Sequence, residues 1–248
     1  MKIHQRKLMF PALFWLGLYL LLSTVMGNIA QNDQQLYLFS ALPQLVLALL
    51  CFFYLYQTGL SAQIGLTTPA IEKTTTMLYY LPLLLVSCFS LLYGLRTNLS
   101  SLTILAFLGM YSGVGFMEEV IFRGLMFDAL SRKWNHILVI FFISLTFAIG
   151  HIISIVVVEM SVFENFLQIV NAFVVGILFM IVMVSSRNLK ACIFAHILYN
   201  FLSSISNVGN TPIKIIVFNT VITILYTFYL WVNAAHFKEY VTINPRLK

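Results

Sequence analysis

The chain has 248 residues, 60% of them hydrophobic and only 9% charged, with a mean hydropathy of +0.94. A soluble domain carries about 25% charged residues, so a soluble globular protein is excluded. The formal charge of +6 is no nucleic-acid footprint, because no basic face stands on a soluble surface. Its distribution reads instead as a topology signal.

In chain order, apolar runs at 9–28, 37–56, 77–95, 101–127, 135–158, 165–185, 190–206 and 214–232 predict helices. Each is near or above the ~20 residues that cross a ~30 Å hydrocarbon core, except the seventh, which is short. Lipid requires an internally satisfied backbone, and barrel strands would be about half as long and alternating. The expected fold is therefore all-α: a polytopic membrane protein of about eight transmembrane helices in a single domain over 1–248, without internal repeat. The first run follows Lys2, Arg6 and Lys7. It reads as a retained span rather than a signal peptide, because seven further spans come after it. Pro43 and Pro82 fall inside spans two and three, where they can kink them. The connection at 57–76 could rest Leu60, Ile64, Leu66 and Ile71 in the interface.

Orientation follows from the positive charges. With the N-terminus in the cytoplasm, Lys2, Arg6, Lys7, Lys73, Arg132, Lys133, Arg187, Lys190, Lys238, Arg246 and Lys248 fall on the cytoplasmic side, and only Arg96 and Lys214 on the other. Both termini are thus expected in the cytoplasm, with Trp134 and Trp231 at cytoplasmic helix ends. Cys51, Cys88 and Cys192 are isolated and lack metal spacing; they read as buried apolar residues.

Span four then breaks the pattern with "MEEVIFRG" at 117–124. Charges inside a membrane span cost several kcal/mol by most estimates and mark functional sites. Glu119 and Arg123 are spaced i,i+4 with the acid N-terminal, the better order for a helical ion pair. Glu118 is turned about 100° away on the same helix, free to meet the two embedded histidines, His151 in span five and His196 in span seven. Glu119–Arg123 therefore reads as structural and Glu118 as chemical. The bland alternative is an internal ion-pair network that locks the helices. Arg123 could instead bind a substrate carboxylate. Phe147 shares a face with His151, and Asn200 one with His196. Gly109 and Gly113 have small-xxx-small spacing that lets another helix approach span four. Gln168 and Asn171 in span six suit inter-helix hydrogen bonds.

This set suits hydrolysis. Glu118 can take a proton from water, His151 can orient that water, and His196 with Asn200 can donate to the oxyanion of a tetrahedral intermediate. No serine or cysteine arrangement competes. Upright helices would place Glu118 about 16 Å, His151 about 24 Å and His196 about 10 Å above the cytoplasmic helix ends. A tilt or projection of span five is therefore expected to lower His151.

"EEVIFRG" at 118–124, "FAIGH" at 147–151 and "HILYN" at 196–200 resemble the EExxxR, FxxxH and HxxxN motifs of the CPBP family. That family joins type II CAAX prenyl endopeptidases to the bacteriocin-processing and bacteriocin-immunity (Abi) membrane proteins. The resemblance covers about 101 to 206. It implies an eight-helix intramembrane endopeptidase opening to the cytoplasm, with Glu118 and His151 handling water and His196 and Asn200 serving the oxyanion. The family has been called metalloprotease, and Glu118, His151 and His196 could hold zinc; a glutamate-activated water needs no metal. The expected substrate is a peptide or membrane protein, in a bacterial inner membrane, for peptide maturation, bacteriocin self-immunity or CAAX-type processing. Two alternatives use the same residues: a non-catalytic adaptor binding a sensor kinase or toxin receptor, and a proton-coupled transporter. Oligomeric state is not legible.

Overall fold

The computed structural model describes residues 8–30, 33–67, 80–153, 161–207 and 213–233. The N-terminal basic residues, 68–79 of the long connection with its Ile71 and Lys73, and the C-terminal tail lie outside them.

Every described element is helical apart from turns and one isolated bridge, Leu95 to Ser206. In chain order the helices are α1 (Met9–Ile29), α2 (Asp33–Gln57), the short α3 (Leu60–Gln63), α4 (Tyr80–Cys88), α5 (Ser101–Glu119), α6 (Phe127–Ser131), α7 (His136–Gly150), α8 (Val162–Ser186), α9 (Leu189–Ile205) and α10 (Ile213–Asn233). A π-helical segment, Val120–Met126, joins α5 to α6 without a break. Helices at Met9–Ile29, Gln35–Gln57, Ser101–Ser131 and Val162–Ser186 are long and apolar enough to cross a membrane, and four shorter apolar helices accompany them. Phe10, Leu21, Leu92 and Phe228 are among many large apolar side chains facing outward, as a lipid solvent allows. This is a multi-pass membrane protein.

Polar side chains set the helix starts. Ser100 accepts from the Thr103 amide at 3.1 Å, Asn135 from Ile137 at 2.9 Å and Asn188 from Lys190 at 3.1 Å. Ser161 and Glu164 form a reciprocal capping box at α8. Each satisfies orphan N–H groups that lipid cannot. Over the expected run at 135–158, α7 ends at Gly150 and passes into a 3-10 segment, His151–Ile153, and residues 154–158 lie outside the described residues. His151 therefore stands on a turn at a helix end. Asn165 fixes that turn, its amide donating to the His151 carbonyl at 2.8 Å.

Two glycines on α5 set how closely its neighbours approach. A Cβ on Gly113 would lie 2.5 Å from the Gln44 carbonyl carbon on α2, and one on Gly115 would lie 2.8 Å from the Ile197 side chain on α9. Real Cβ contacts of that length do not occur, so only glycine permits these crossings. The first is the close approach expected from the Gly109–Gly113 spacing. The second sets α9, with His196, directly against the end of α5.

Pro43 lies within α2. In span six, Asn171 donates to the Tyr199 hydroxyl and accepts from Thr220, each at 3.3 Å, while Gln168 accepts from Asn165 at 3.2 Å. Asn171 thus ties α8 to α9 and α10, whereas the Gln168 bond stays within α8 and not between helices as expected. The three cysteines are free, and buried Cys192 donates weakly to the Phe179 carbonyl at 3.4 Å.

Candidate active site

Both glutamates stand at the last turn of α5, where the helix passes into its π segment. That i→i+5 pattern inserts an extra residue into the turn, and π segments concentrate at functional sites. All seven residues of the segment are buried.

Arg123 Nη1 donates to Glu119 Oε1 at 3.1 Å, and both side chains are fully buried. The guanidinium lies over the Phe147 ring, 4.1 Å from its centroid, and 5.7 Å from that of Phe179. A desolvated cation gains from such ring faces. Arg123 Nε and Nη2 and Glu119 Oε2 have no hydrogen-bond partner among the described residues. The pair is thus held by one charge-assisted bond and an aromatic cradle.

His196 joins the two acids. Its Nδ1 is 2.7 Å from Glu119 Oε1, and its Nε2 is 3.4 Å from Glu118 Oε2. A carboxylate paired with Arg123 accepts, so Nδ1 carries a proton and donates to Glu119. Its other nitrogen, Nε2, faces Glu118. The 100° offset on the helix therefore leaves both acids on one imidazole, at its two nitrogens. Their environments differ: the Glu118 side chain keeps 16% of its surface and Glu119 none. Of the two acids, only Glu118 keeps any exposed surface.

Phe147 is the hinge of the aromatic wall. Its ring centroid is 5.1 Å from that of His151, 6.0 Å from that of His196 and 5.4 Å from that of Phe122. His151 Nδ1 donates to the Phe147 carbonyl at 3.2 Å. His151 thus stands one ring away from His196. Asn200, one turn along α9, is half-buried and makes no hydrogen bond among the described residues.

Among the described residues no group of three His, Cys, Asp or Glu is placed to hold a metal ion.

One contact had no signal in the sequence. The Tyr19 hydroxyl, on α1, donates to Glu118 Oε1 at 2.5 Å. With twelve tyrosines in the chain, nothing in the local pattern singles this one out.

A helical membrane protein with two glutamates, an arginine and a histidine interlocked inside it is the class these observations define. Residues 100–202 match the protein-family model described as Type II CAAX prenyl endopeptidase Rce1-like, and the resemblance drawn from the three motifs holds. All three lie within the matched segment, residues 100–202. No curated protein and no solved structure matches the chain.

Proposed function

We propose that this protein is an intramembrane endopeptidase that hydrolyses a peptide bond with a water activated at Glu118. The observation that carries the reading is His196 set between Glu119 and Glu118 within a segment that matches a protease family. Glu119, neutralised by Arg123, fixes the ring and its tautomer. Glu118 takes a proton from water as the oxygen adds to the peptide carbonyl. Its Oε2 faces Nε2, so that proton is shared with the imidazole. Nε2–H and the Asn200 amide then donate to the oxyanion, and the free Nε2 of His151 accepts from the water and orients it. Collapse breaks the C–N bond, and the shared proton goes to the leaving amine. No step needs a metal.

The reading is tested with purified protein in nanodiscs and two quenched fluorescent peptides, one prenylated at a C-terminal CAAX cysteine and one not. Cleavage of the first only assigns CAAX-type processing; cleavage of the second supports peptide maturation or bacteriocin self-immunity. Cleavage of neither contradicts the reading. Asn200→Ala tests the oxyanion role. An interaction realised only in the transition state appears in kcat and not KM, so turnover should slow roughly 10²–10³-fold with the thermal melt unchanged. Full activity in folded Asn200→Ala would remove this residue from the chemistry.

The eight-span arrangement with both termini in the cytoplasm, in a bacterial inner membrane, belongs to the same proposal. It is supported by the basic residues and the order of the apolar helices. Reporter fusions at 97–100 and 159–163 should report the outer side. An inner-side signal at both would reverse α5 and sink the placement of the site.

A further inference from the structure

Glu118 is held from outside the segment that matches the family. The partner of its Oε1 is Tyr19, 99 residues earlier in the chain, whereas the match begins at residue 100. α1 is seated there by packing: Pro11, Ala12 and Trp15 are buried, and the helix lies against α2 and the π segment. The phenol is itself backed. Ser23 lies one turn along α1 beside it, and Gln44 Nε2 on α2 donates to the Ser23 hydroxyl at 3.0 Å. Gln44 is 1% exposed, and its backbone fills the space a side chain on Gly113 would need. A polar chain therefore runs from the tight α2–α5 crossing through α1 to the carboxylate.

We propose that Tyr19 is a positioning residue for the Glu118 carboxylate. The inference rests on the reading of Glu118 as the base. A glutamate's terminal torsion is broad and roughly two-fold, so an unheld carboxylate turns freely. With Oε1 fixed by the phenol, Oε2 faces His196 Nε2 and the incoming water. The phenol also donates to a charged acceptor, the stronger kind of hydrogen bond. The site is on this account completed by α1, and residues 100–202 alone do not hold the base in register.

Tyr19→Phe removes one oxygen and keeps the ring. In nanodiscs, with the quenched peptide the wild type cleaves, kcat should fall roughly 10- to 100-fold, the range for losing one hydrogen bond to a charged group, with KM and the thermal melt kept. Tyr54→Phe, whose ring packs on Trp15 away from the acids, should keep full activity. Infrared difference spectra supply a readout independent of substrate: Tyr19→Phe against wild type should show a carboxylate-stretch change that vanishes in a Glu118→Gln background. If Tyr19→Phe melts early, Ser23→Ala carries the test, with a kcat loss at constant KM in support and no change against. Wild-type kcat in folded Tyr19→Phe, or no carboxylate change, overturns the inference while an inactive Glu118→Gln leaves the parent reading standing. An active Glu118→Gln, or no cleavage by the wild type, overturns both.

Discussion

Glu118→Gln is expected to abolish cleavage while the protein folds and melts as before. The amide keeps the size of the side chain and can still accept from Tyr19, but it cannot take a proton from water. General-base catalysis contributes about 10²–10⁴-fold, so activity should fall at least that far. Stability should change little, because Glu118 keeps 16% of its side-chain surface exposed and, unlike Glu119, is not paired with Arg123. Peptide turnover and a thermal melt on the same preparation check both halves. A clear loss of stability would return Glu118 to an ion-pair network.

Glu119→Gln should do the reverse. Arg123 and Glu119 are both sealed from solvent, and neutralising the acid leaves a buried guanidinium without a counter-charge. Breaking a buried pair by removing one partner costs about 3–5 kcal/mol. The same change weakens the anchor on His196 Nδ1, so activity falls as well, but through the fold. The expected result is a large drop in melting temperature and poor recovery of folded protein, with Phe147 and Phe179 unable to replace the lost charge. Equal melts for Glu118→Gln and Glu119→Gln would contradict the division between the two acids.

Much of this was legible in the sequence because lipid imposes a simple code. Eight apolar runs correspond in order to eight helical segments among the described residues, since length and composition alone decide what can lie in hydrocarbon. The glutamates, Arg123 and the two histidines stood out because charge is rare there. Gly109 and Gly113 announced a close helix crossing through their spacing. What stayed hidden has physical reasons. The π segment over Val120–Met126 leaves no trace in a stretch whose every residue is buried, because a shifted register brings no side chain to the surface. The change from α to 3-10 winding after Gly150 was hidden by the apolar run that follows, which gives no signal of it. The shared imidazole between Glu118 and Glu119 depends on where α9 sits, which Gly115 decides by admitting Ile197. Tyr19 is the sharpest case: its partner lies 99 residues away, and only the packing of α1 brings the two together.

The central claim is that this centre adds water across a peptide bond and that Glu118 activates it. The most direct measurement is cleavage of the quenched peptide by purified protein in H2(18)O, with mass spectrometry of the new C-terminus. The account predicts one heavy oxygen in the newly formed carboxyl group with the wild type, and none above background with folded Glu118→Gln. Heavy-oxygen incorporation by folded Glu118→Gln at the wild-type rate would contradict it.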